Sequence, residues 1–317
     1  MYVMRDYDEA LRLILDTGVR KENRTGVDAL TVFCILSRYR IDEFFPLLTG
    51  RKIWPKSVFA ELLWFLSGST NNKDLQALGS NIWTPWVDEE FEKKHGYAEG
   101  CLGPVYGFQL RHFGGCYGNG KGGLNAKDYR NDSSEEKARN LDYFIHYENP
   151  SPSKGSYYGI GGFDQLERMV TLLKKDPDNR KNLFSLWNPE QLEGMRLPPC
   201  HYTFQVYVEE DRLSGVLTQR SCDFPIGVPA NIQFYSALIY MLAQQTGYKP
   251  YELVHHTVDS HIYVDQIDGV EEYLSREKPV SPRLELNKAK SIDEYELEDF
   301  ELADYNPLSA IKIPVAV

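Results

Sequence analysis

The sequence predicts an α+β fold, and three observations support this prediction. Tyr202 to Val208 alternates apolar and polar residues as a half-buried strand does, whereas Asp164 to Lys175 repeats apolar residues at helical spacing. Strand and helix patterns follow one another without the regular alternation of βαβ units. No internal repeat is present. We therefore expect a single domain over residues 1–317.

The first elements along the chain are a helix, a strand and a second helix. Tyr7 to Asp16 has apolar residues on one helical face, and Gly18 follows as the expected C-cap. Ala29 to Ile41 is typical of a strand. From Pro55, a favoured first helical residue, the segment PKSVFAELLWFLSG is apolar on nearly all sides, which predicts a buried helix ending near Gly68.

Residues 114–162 differ in composition from the rest of the chain. Glycine, asparagine, serine, lysine and tyrosine dominate, as in GGCYGNGKGGLNAKDYRNDSSEEK, and few apolar residues recur at a regular spacing. This composition indicates a surface insertion rather than a separate domain.

The remaining elements are three strands and two long helices. After the helix at 164–175, strand patterns occur at Asn182 to Trp187, Tyr202 to Val208 and Leu213 to Gln219. Ile232 to Gln245 is apolar enough for a buried helix, and Tyr263 to Arg276 has the periodicity of another.

Composition and charge exclude several classes of protein. A hydrophobic fraction of 42% is enough for a large core, and no run reaches the ~20 apolar residues that cross a bilayer. The chain opens on acidic, helix-like sequence rather than a signal peptide, so we expect a cytoplasmic protein. A net charge of -11 argues against broad nucleic-acid binding and requires a local basic pocket for any anionic substrate.

Cys200 is the cysteine with the clearest signs of reactivity. The five cysteines contain no CxxC pair, which favours free thiols over a disulfide framework or a zinc site. Pro198 and Pro199 stiffen the backbone directly before Cys200. A cysteine reacts as the thiolate, which neighbouring cationic groups stabilise, and His201 and Arg220 are the candidates. The alternative is a small hydrophobic side chain buried in a strand.

Glu61 is a lone carboxylate in the apolar helix that begins at Pro55. Such a group must be paired, neutralised or functional, and burial would raise its pKa toward the range useful for acid–base catalysis. The alternative is that Glu61 lies on the one side of the helix that is exposed to solvent.

Three arginines lie where turns or strand edges are expected: Arg24, Arg180 and Arg220. Guanidinium groups bind phosphate in a bidentate manner, although each of these residues could equally be a solvated surface charge. No GxxxxGK[ST] or GxGxxG motif is present, which disfavours a nucleoside triphosphate or dinucleotide loop.

Several motifs resemble those of the thymidylate synthase family: ENRTG, AELLWFLSG, NIWTPW, LGPVYGFQ, LPPCH, QRSCDFPIGVPANI, DSHIY and the terminal PVAV. They follow the family's order and spacing across nearly the whole chain outside residues 114–162. The resemblance implies a large kinked mixed β-sheet flanked by helices, and a homodimer in which two sheets pack together. It also implies that 5,10-methylenetetrahydrofolate methylates dUMP at C5, giving dTMP and dihydrofolate, with no metal and no flavin.

The resemblance also implies roles for the matched residues. Cys200 becomes the nucleophile that attacks C6 of the base and Glu61 the general acid–base, and the other catalytic residues are Tyr106, His201, Asp223 and Asn231. Contacts to dUMP are implied for Arg24, Arg180, Lys181, Gln219, Arg220, Ser221, Asn231, His261 and Tyr263. Arg180 and Lys181 would reach the phosphate in the partner subunit. Contacts to folate are implied for Ile82, Trp83, Trp86, Asp223, Gly227 and Ala316.

Asn231 is the expected reader of the base. Its amide offers a donor and an acceptor, which suit O4 and N3–H of uracil, whereas a carboxylate would accept from the amino group of cytosine. We expect a preference for uracil of roughly 1–3 kcal/mol, the cost of a mismatched buried polar pair.

Three positions depart from the family pattern: Lys181 replaces an arginine, Ala230 a phenylalanine and Leu110 a tryptophan. These changes leave open a pyrimidine-nucleotide hydroxymethylase, in which water rather than hydride quenches the one-carbon unit, and also a ribonucleotide substrate. Trp83, Tyr106, Leu197 and the PVAV terminus favour a dry site and hence reduction. A hypothesis from a different functional class is that the chain is a catalytically silent homologue that acts as a binding scaffold. The retained catalytic residues argue against this hypothesis.

Overall fold

The computed structural model describes residues 2–4, 6–23, 25–118, 158–160, 162–289 and 291–315. The chain divides into two compact units, one of residues 1–59 with 200–317 and one of residues 60–199. The expectation of a single domain stays a prediction. Most of the expected insertion, residues 119–157 and 161, lies outside the described residues.

The strands are named here in chain order: β1 Tyr2–Met4, β2 Val19–Lys21, β3 Ala29–Arg40, β4 Cys116–Gly118, β5 Tyr158–Ile160, β6 Leu183–Ser185, β7 His201–Glu209, β8 Arg212–Asp223, β9 Lys249–Tyr263, β10 Arg283–Leu286 and β11 Phe300–Ala303. The helices are α1 Tyr7–Thr17, α2 Pro55–Leu66, α3 Asn72–Ala77, α4 Glu89–His95, α5 Tyr106–Arg111, α6 Gln165–Lys175, α7 Gly227–Thr246 and α8 Ile267–Ser275. Short 3-10 turns occupy Thr84–Trp86, Pro189–Gly194, Val264–Gln266 and Leu297–Asp299.

A mixed sheet forms the centre of the first unit, in the order β1-β3-β9-β8-β7, with β2 paired to β3. β1 is parallel to β3 and β8 is parallel to β9, whereas β9 is antiparallel to β3 and β7 to β8. The helices α1 and α7 pack against these strands. The prediction of an α+β fold with a large mixed sheet is therefore confirmed.

The pairing of this sheet is irregular along one line that crosses neighbouring strands. Cys34 in β3 has φ 64°, a left-handed conformation that is uncommon outside glycine. In β8, Arg220 stands between the paired residues Gln219 and Ser221, and its N–H donates to the carbonyl of Cys200 at 2.8 Å. The register of β7 also shifts between His201 and Thr203. This irregularity brings the backbone of Arg220 to Cys200.

Strand β9 was not predicted, and it displaces the start of a predicted helix. It pairs with β3 on one side and β8 on the other, and these ladders fix its register although its sequence, KPYELVHHTVDSHIY, alternates poorly. Its buried polar residues include His255, Thr257 and Ser260. The helix expected at Tyr263 begins only at Ile267, because Tyr263 ends the strand and a 3-10 turn follows.

Most other helices begin and end near the predicted residues. Asp6 caps α1 by accepting from Glu9 N at 2.8 Å, and Asp164 caps α6 by accepting from Glu167 N at 2.9 Å. α7 begins at Gly227, five residues before the predicted Ile232, because the first turn of a helix tolerates glycine and proline where no intrahelical acceptor is available.

The second unit is mainly helical. α5 and α6 pack on each other and on β6, which is three residues long where a strand over 182–187 was predicted. Tyr106, Phe108 and Leu110 on α5 are buried, so Leu110 fills a core position where the resemblance led us to expect tryptophan. None of the described helices of either unit is long and apolar enough to cross a membrane.

Candidate active site

Cys200 lies directly before β7 and beside Arg220 of β8. Arg220 Nη2 is 3.9 Å from Cys200 Sγ, and the backbone bond from Arg220 N to Cys200 O fixes the two residues side by side. Both residues are half-buried, and Ser221 follows at the same level of exposure. A guanidinium group beside a sulfur stabilises the thiolate, and it can also bind an anion. The positive charge of Arg220 is therefore placed where it could both stabilise the thiolate and bind an anion.

His201 is a buried, neutral histidine rather than a cation. Its Nδ1 forms a 2.8 Å hydrogen bond with the hydroxyl group of Tyr235 on α7. Burial lowers the pKa of His201 to about 3, with His255 as a second cause. A histidine with this pKa carries no charge near neutral pH, so of the two candidates Arg220 rather than His201 brings a positive charge to Cys200.

Asn231 belongs to a hydrogen-bonded row of three side chains. Asn231 Nδ2 donates to Gln219 Oε1 at 2.9 Å, and His255 Nε2 is 2.9 Å from the same oxygen. Gln219 Nε2 in turn donates to Ser221 O at 3.0 Å. The orientation of Gln219 therefore settles that of Asn231, leaving Oδ1 and one N–H of Asn231 for a ligand.

Asp223 ends β8 and opens a turn that several groups hold in place. Asp223 Oδ1 accepts from Ile226 N at 3.2 Å, the hydroxyl of Tyr7 donates to Phe224 O at 2.9 Å, and Arg51 donates to Pro225 O. Burial raises the pKa of Asp223, while the hydrogen bond from Gln266 acts in the opposite direction.

His261 and Tyr263 end β9 next to this turn. His261 pairs with Asp223 across the strands, and Phe224 N donates to His261 O at 2.9 Å. His261 Nδ1 is 3.1 Å from Asp259 Oδ1, a contact that lowers the pKa of the Asp259 carboxyl. The rings of His261 and Tyr263 meet edge to face, 5.2 Å apart. The ends of β8 and β9 thus bring Asp223 and His261 together.

Glu61 lies in the second unit, on α2, where its carboxyl accepts a short hydrogen bond from the indole nitrogen of Trp83. Burial raises the pKa of Glu61 to about 7, and the bond from Trp83 partly offsets this effect. A carboxyl that titrates near neutral pH can both release and take up a proton, which general acid–base catalysis requires.

Aromatic rings surround Trp83. Its ring centroid is 5.7 Å from those of Trp64 and Trp86 and 5.6 Å from that of Tyr106, which stacks on Phe65 at 4.7 Å. Trp83 and Tyr106 are buried, Trp86 is half-buried, and Ile82 is 36% exposed. The carboxyl of Glu61 thus stands against an apolar wall.

Arg180 and Lys181 lie in an exposed turn of the second unit. Lys181 N donates to Asn179 Oδ1 at 2.9 Å, and Arg168 Nη1 donates to Lys181 O at 2.8 Å, so the turn has a defined shape.

Gly227 and Ala230 lie in the first turn of α7, and a Cβ added to Gly227 would meet no atom within 4 Å. Arg24 and Ala316 lie outside the described residues.

Four supporting residues escaped the sequence prediction: Arg51, Tyr235, His255 and Gln266. Each is buried and bonded to a predicted residue or, for Arg51, to the carbonyl of Pro225, two residues from Asp223 and Gly227. For His255 the signal was a polar residue between apolar neighbours, which becomes informative only once β9 is known to be a strand.

Comparison with known proteins agrees with this geometry. The thymidylate synthase family model matches residues 5–317. The chain belongs to the thymidylate synthase family. This is a family of methyltransferases, and the family prediction from the sequence motifs is confirmed.

Relatives from distant sources agree with the family assignment. The chain is 40% identical over 308 residues to human thymidylate synthase, covering 96% of this chain and 88% of the human protein. It is 39% identical to the thymidylate synthase of human herpesvirus 8, with 98% and 83% covered. It is 38% identical to that of Corynebacterium aurimucosum, with 98% and 97% covered. The match thus spans both compact units.

Proposed function

We propose that this member of the thymidylate synthase family methylates dUMP at C5 with 5,10-methylenetetrahydrofolate and releases dTMP and dihydrofolate. The observation that carries the proposal is the position of Arg220 Nη2, 3.9 Å from the Sγ of Cys200, within a chain whose family match covers residues 5–317. An anionic nucleotide bound at Arg220 would bring its base to the adjacent thiolate.

Cys200 acts as the nucleophile. Its thiolate forms a bond between Sγ and C6 of uracil, the π electrons of the C5–C6 bond move toward C5 and O4, and C5 becomes nucleophilic. Arg220 favours the thiolate before attack and holds the phosphate dianion, so one charge serves activation and binding. After C5 has taken up the one-carbon unit, the C5 proton passes to the water network beside Tyr106, the Sγ–C6 bond breaks as the C5–C6 double bond re-forms, and the thiolate returns.

Glu61 moves protons on the O4 and folate side of the base. Its pKa of about 7 lets the carboxyl donate a proton at one step and accept one at another. Tyr106 and His201 complete the proton and water network around C5. The neutral state of His201 supports this role rather than that of a base that activates the thiol.

Asn231 selects uracil. Gln219 occupies one N–H of the Asn231 amide, and the remaining donor and acceptor match O4 and N3–H of the base. His261 and Tyr263 hold the 3′-hydroxyl of the sugar. Ser221 assists Arg220 at the phosphate, to which Arg24 also contributes.

The folate co-substrate supplies the one-carbon unit and the hydride. Asp223 binds its pterin, while Ile82, Trp83 and Trp86 provide an apolar wall that excludes water. Gly227, where a Cβ would meet open space, allows close approach of the backbone, and Ala316 contacts the folate from the C-terminal end. Exclusion of water favours a methyl over a hydroxymethyl product.

The active enzyme is a homodimer whose large, kinked sheets pack together. Tyr207 and Val216 lie on one face of the sheet and are 65% and 38% exposed, and Phe33 of β3 is 79% exposed. Apolar groups with such exposure support coverage by a second copy. Arg180 and Lys181, in their exposed turn, reach the phosphate in the partner subunit. A cytoplasmic location stays a prediction.

An assay with dUMP and 5,10-methylenetetrahydrofolate tests the proposal. Dihydrofolate formation, followed by its absorbance, together with a methylated nucleotide supports it. A hydroxymethyl nucleotide with tetrahydrofolate would assign the chain to the hydroxymethylases, turnover of UMP in preference to dUMP would reassign the substrate, and no turnover would favour a scaffold.

A further inference from the structure

Gln266 joins three separate parts of the first unit through one side-chain amide. It is fully buried, in the 3-10 turn that follows β9. Its Nε2 lies 3.3 and 3.2 Å from the two carboxylate oxygens of Asp223 and 3.0 Å from the carbonyl of Pro314. Its Oε1 accepts from Tyr263 N at 3.0 Å.

The hydrogen-bonding capacity of the amide fixes its orientation. Nε2 carries two hydrogens, so one is directed at Pro314 O and the other is shared by the two oxygens of Asp223. Tyr263 N can only donate and therefore requires Oε1 on its side. A flipped amide would set Oε1 against a carboxylate and a carbonyl and lose every bond, so Gln266 has a single satisfied arrangement.

The C-terminal segment reaches Gln266 because α8 has no side chain at one position. A Cβ added to Gly269 would lie 2.9 Å from Ile313 Cγ1 and 3.5 Å from Lys312 O. The segment therefore lies flat on the helix at Gly269, and this brings Pro314 O within hydrogen-bonding distance of Gln266. A Cβ alone would require only the side chain of Ile313 to move, whereas a side chain as long as leucine at 269 would displace the segment.

We propose that Gln266 is a positioning residue for folate, holding the carboxylate of Asp223 and the C-terminal segment in one fixed arrangement. The inference rests on the proposed roles of Asp223 and Ala316 in folate binding. The donor side of the amide serves the folate contacts, and the acceptor side holds the backbone of Tyr263, which serves the nucleotide. The two sides can be tested separately.

The isosteric variant Gln266→Glu removes the donor side alone. A carboxylate at 266 still accepts from Tyr263 N but cannot donate to Asp223 or Pro314. We expect the KM for 5,10-methylenetetrahydrofolate to rise at least tenfold while the KM for dUMP stays within twofold. Gln266→Met removes both sides, and we expect both KM values to rise.

The pH dependence of Gln266→Glu separates positioning from a general loss of structure. The new carboxyl would face Asp223. The charges of Arg51 and His261 act to lower the pKa of Asp223, and Tyr7 lies close enough to interact with both Arg51 and Asp223. Two adjacent carboxyl groups share one proton, and a protonated carboxyl at position 266 regains a donor. Relative to the unchanged protein at each pH, the rise in folate KM should therefore be several-fold smaller at pH 6 than at pH 8.

Two further variants serve as controls. Gln244→Glu makes the same chemical change in a glutamine that donates to Leu286 O at 2.9 Å and accepts from the hydroxyl of Tyr295 at 2.6 Å, remote from Asp223. We expect both KM values to stay within twofold. Gly269→Leu moves the C-terminal segment from its other side, and we expect a rise in folate KM that does not change with pH.

The outcomes are distinct. Equal rises in both KM values for Gln266→Glu, or no rise in either, would overturn the positioning role. If Gln266→Glu does not fold, an unchanged folate KM in Gly269→Leu would overturn it instead. Failure of the unsubstituted protein to convert dUMP would contradict the proposed function rather than the role of Gln266.

Discussion

The indole nitrogen of Trp83 donates a hydrogen bond to the buried carboxyl group of Glu61. Burial favours the protonated carboxyl and the indole favours the ionised one, and the balance leaves the pKa of Glu61 at about 7. One aromatic residue therefore adjusts the acidity of the group assigned to proton transfer and also forms the wall against which it works.

Glu61→Gln should change how stability depends on pH. The folded-state pKa of Glu61, about 7, is above the ordinary value of 4.5, so the stabilisation is complete below pH 4.5 and lost as the pH rises through 7. The glutamine variant lacks this loss. Relative to the unchanged protein, the variant should gain stability between pH 5 and pH 8, so its free energy of unfolding should become larger by up to about 3 kcal/mol. Urea unfolding at both pH values measures the difference, and a pH-independent difference would contradict it.

Trp83→Phe should shift the pH profile of catalysis upward. The variant keeps the aromatic wall but removes the donor that favours the ionised carboxyl, so the pKa of Glu61 rises further. The limb of the kcat/KM profile that belongs to Glu61 should move to higher pH, and the profile of Glu61→Gln should lack that limb. An unmoved limb in Trp83→Phe would show that another group produces it.

The residues of the candidate site were predictable where their immediate neighbours in the sequence already indicate their chemistry. Cys200 follows two prolines and Glu61 is the only carboxyl in an apolar helix, so both are evident from a few neighbouring residues. The contact between Cys200 and Arg220 depends on how β7 pairs with β8, and the sequence suggested only that Arg220 lies near a strand that could pair alongside. Arg24 and Ala316 lie outside the described residues, so their assignments stay predictions.

Asn231→Asp should exchange base preference. A carboxylate at 231 places an acceptor against Gln219 Oε1, where Asn231 Nδ2 now donates, and it offers an acceptor to the amino group of cytosine. We expect kcat/KM for dUMP to fall roughly 5- to 150-fold, the equivalent of 1–3 kcal/mol, and measurable turnover of dCMP to appear. Competition between the two nucleotides measures the change. Retained preference for dUMP would show that Asn231 does not read the base.

His255→Leu should make the fold less sensitive to acid. Burial lowers the pKa of His255 to about 3, below the ordinary 6.5, so its stabilisation is present above pH 6.5 and lost as the pH falls toward 3. The leucine variant should lose about 3 kcal/mol less stability than the unchanged protein between pH 7 and pH 4. At pH 7.5 it should be about 1 kcal/mol less stable, since Gln219 loses a hydrogen bond. Parallel acid losses in both proteins would rule out this role.

Strand β9, which contains His255, shows why part of the fold was not predicted from the sequence. β9 carries His255, Thr257 and Ser260 in its interior, and polar residues there conceal the strand from a search for alternation. Their acceptability depends on partners far along the chain, such as Gln219 for His255 and Ile35 O for Thr257 at 3.2 Å. Helices α1 and α6 were predicted because their apolar faces and caps are local in sequence, and α2 because it begins at a proline and is apolar on nearly all sides.

Cys200→Ala should abolish turnover without abolishing nucleotide binding. The variant removes the sulfur and leaves Arg220, Ser221 and Asn231 in place, so dUMP should bind with an affinity within about tenfold of the unchanged protein. Calorimetry with dUMP and the dihydrofolate assay give the two readings. Retained turnover would exclude Cys200 as the nucleophile.

The most direct test of thymidylate synthesis is the mass of the nucleotide that the unsubstituted protein forms from dUMP and 5,10-methylenetetrahydrofolate, read together with dihydrofolate absorbance. We predict a product heavier than dUMP by one CH₂ group, with one dihydrofolate for each nucleotide converted. A hydroxymethyl product with tetrahydrofolate, or unchanged dUMP, would contradict the proposal.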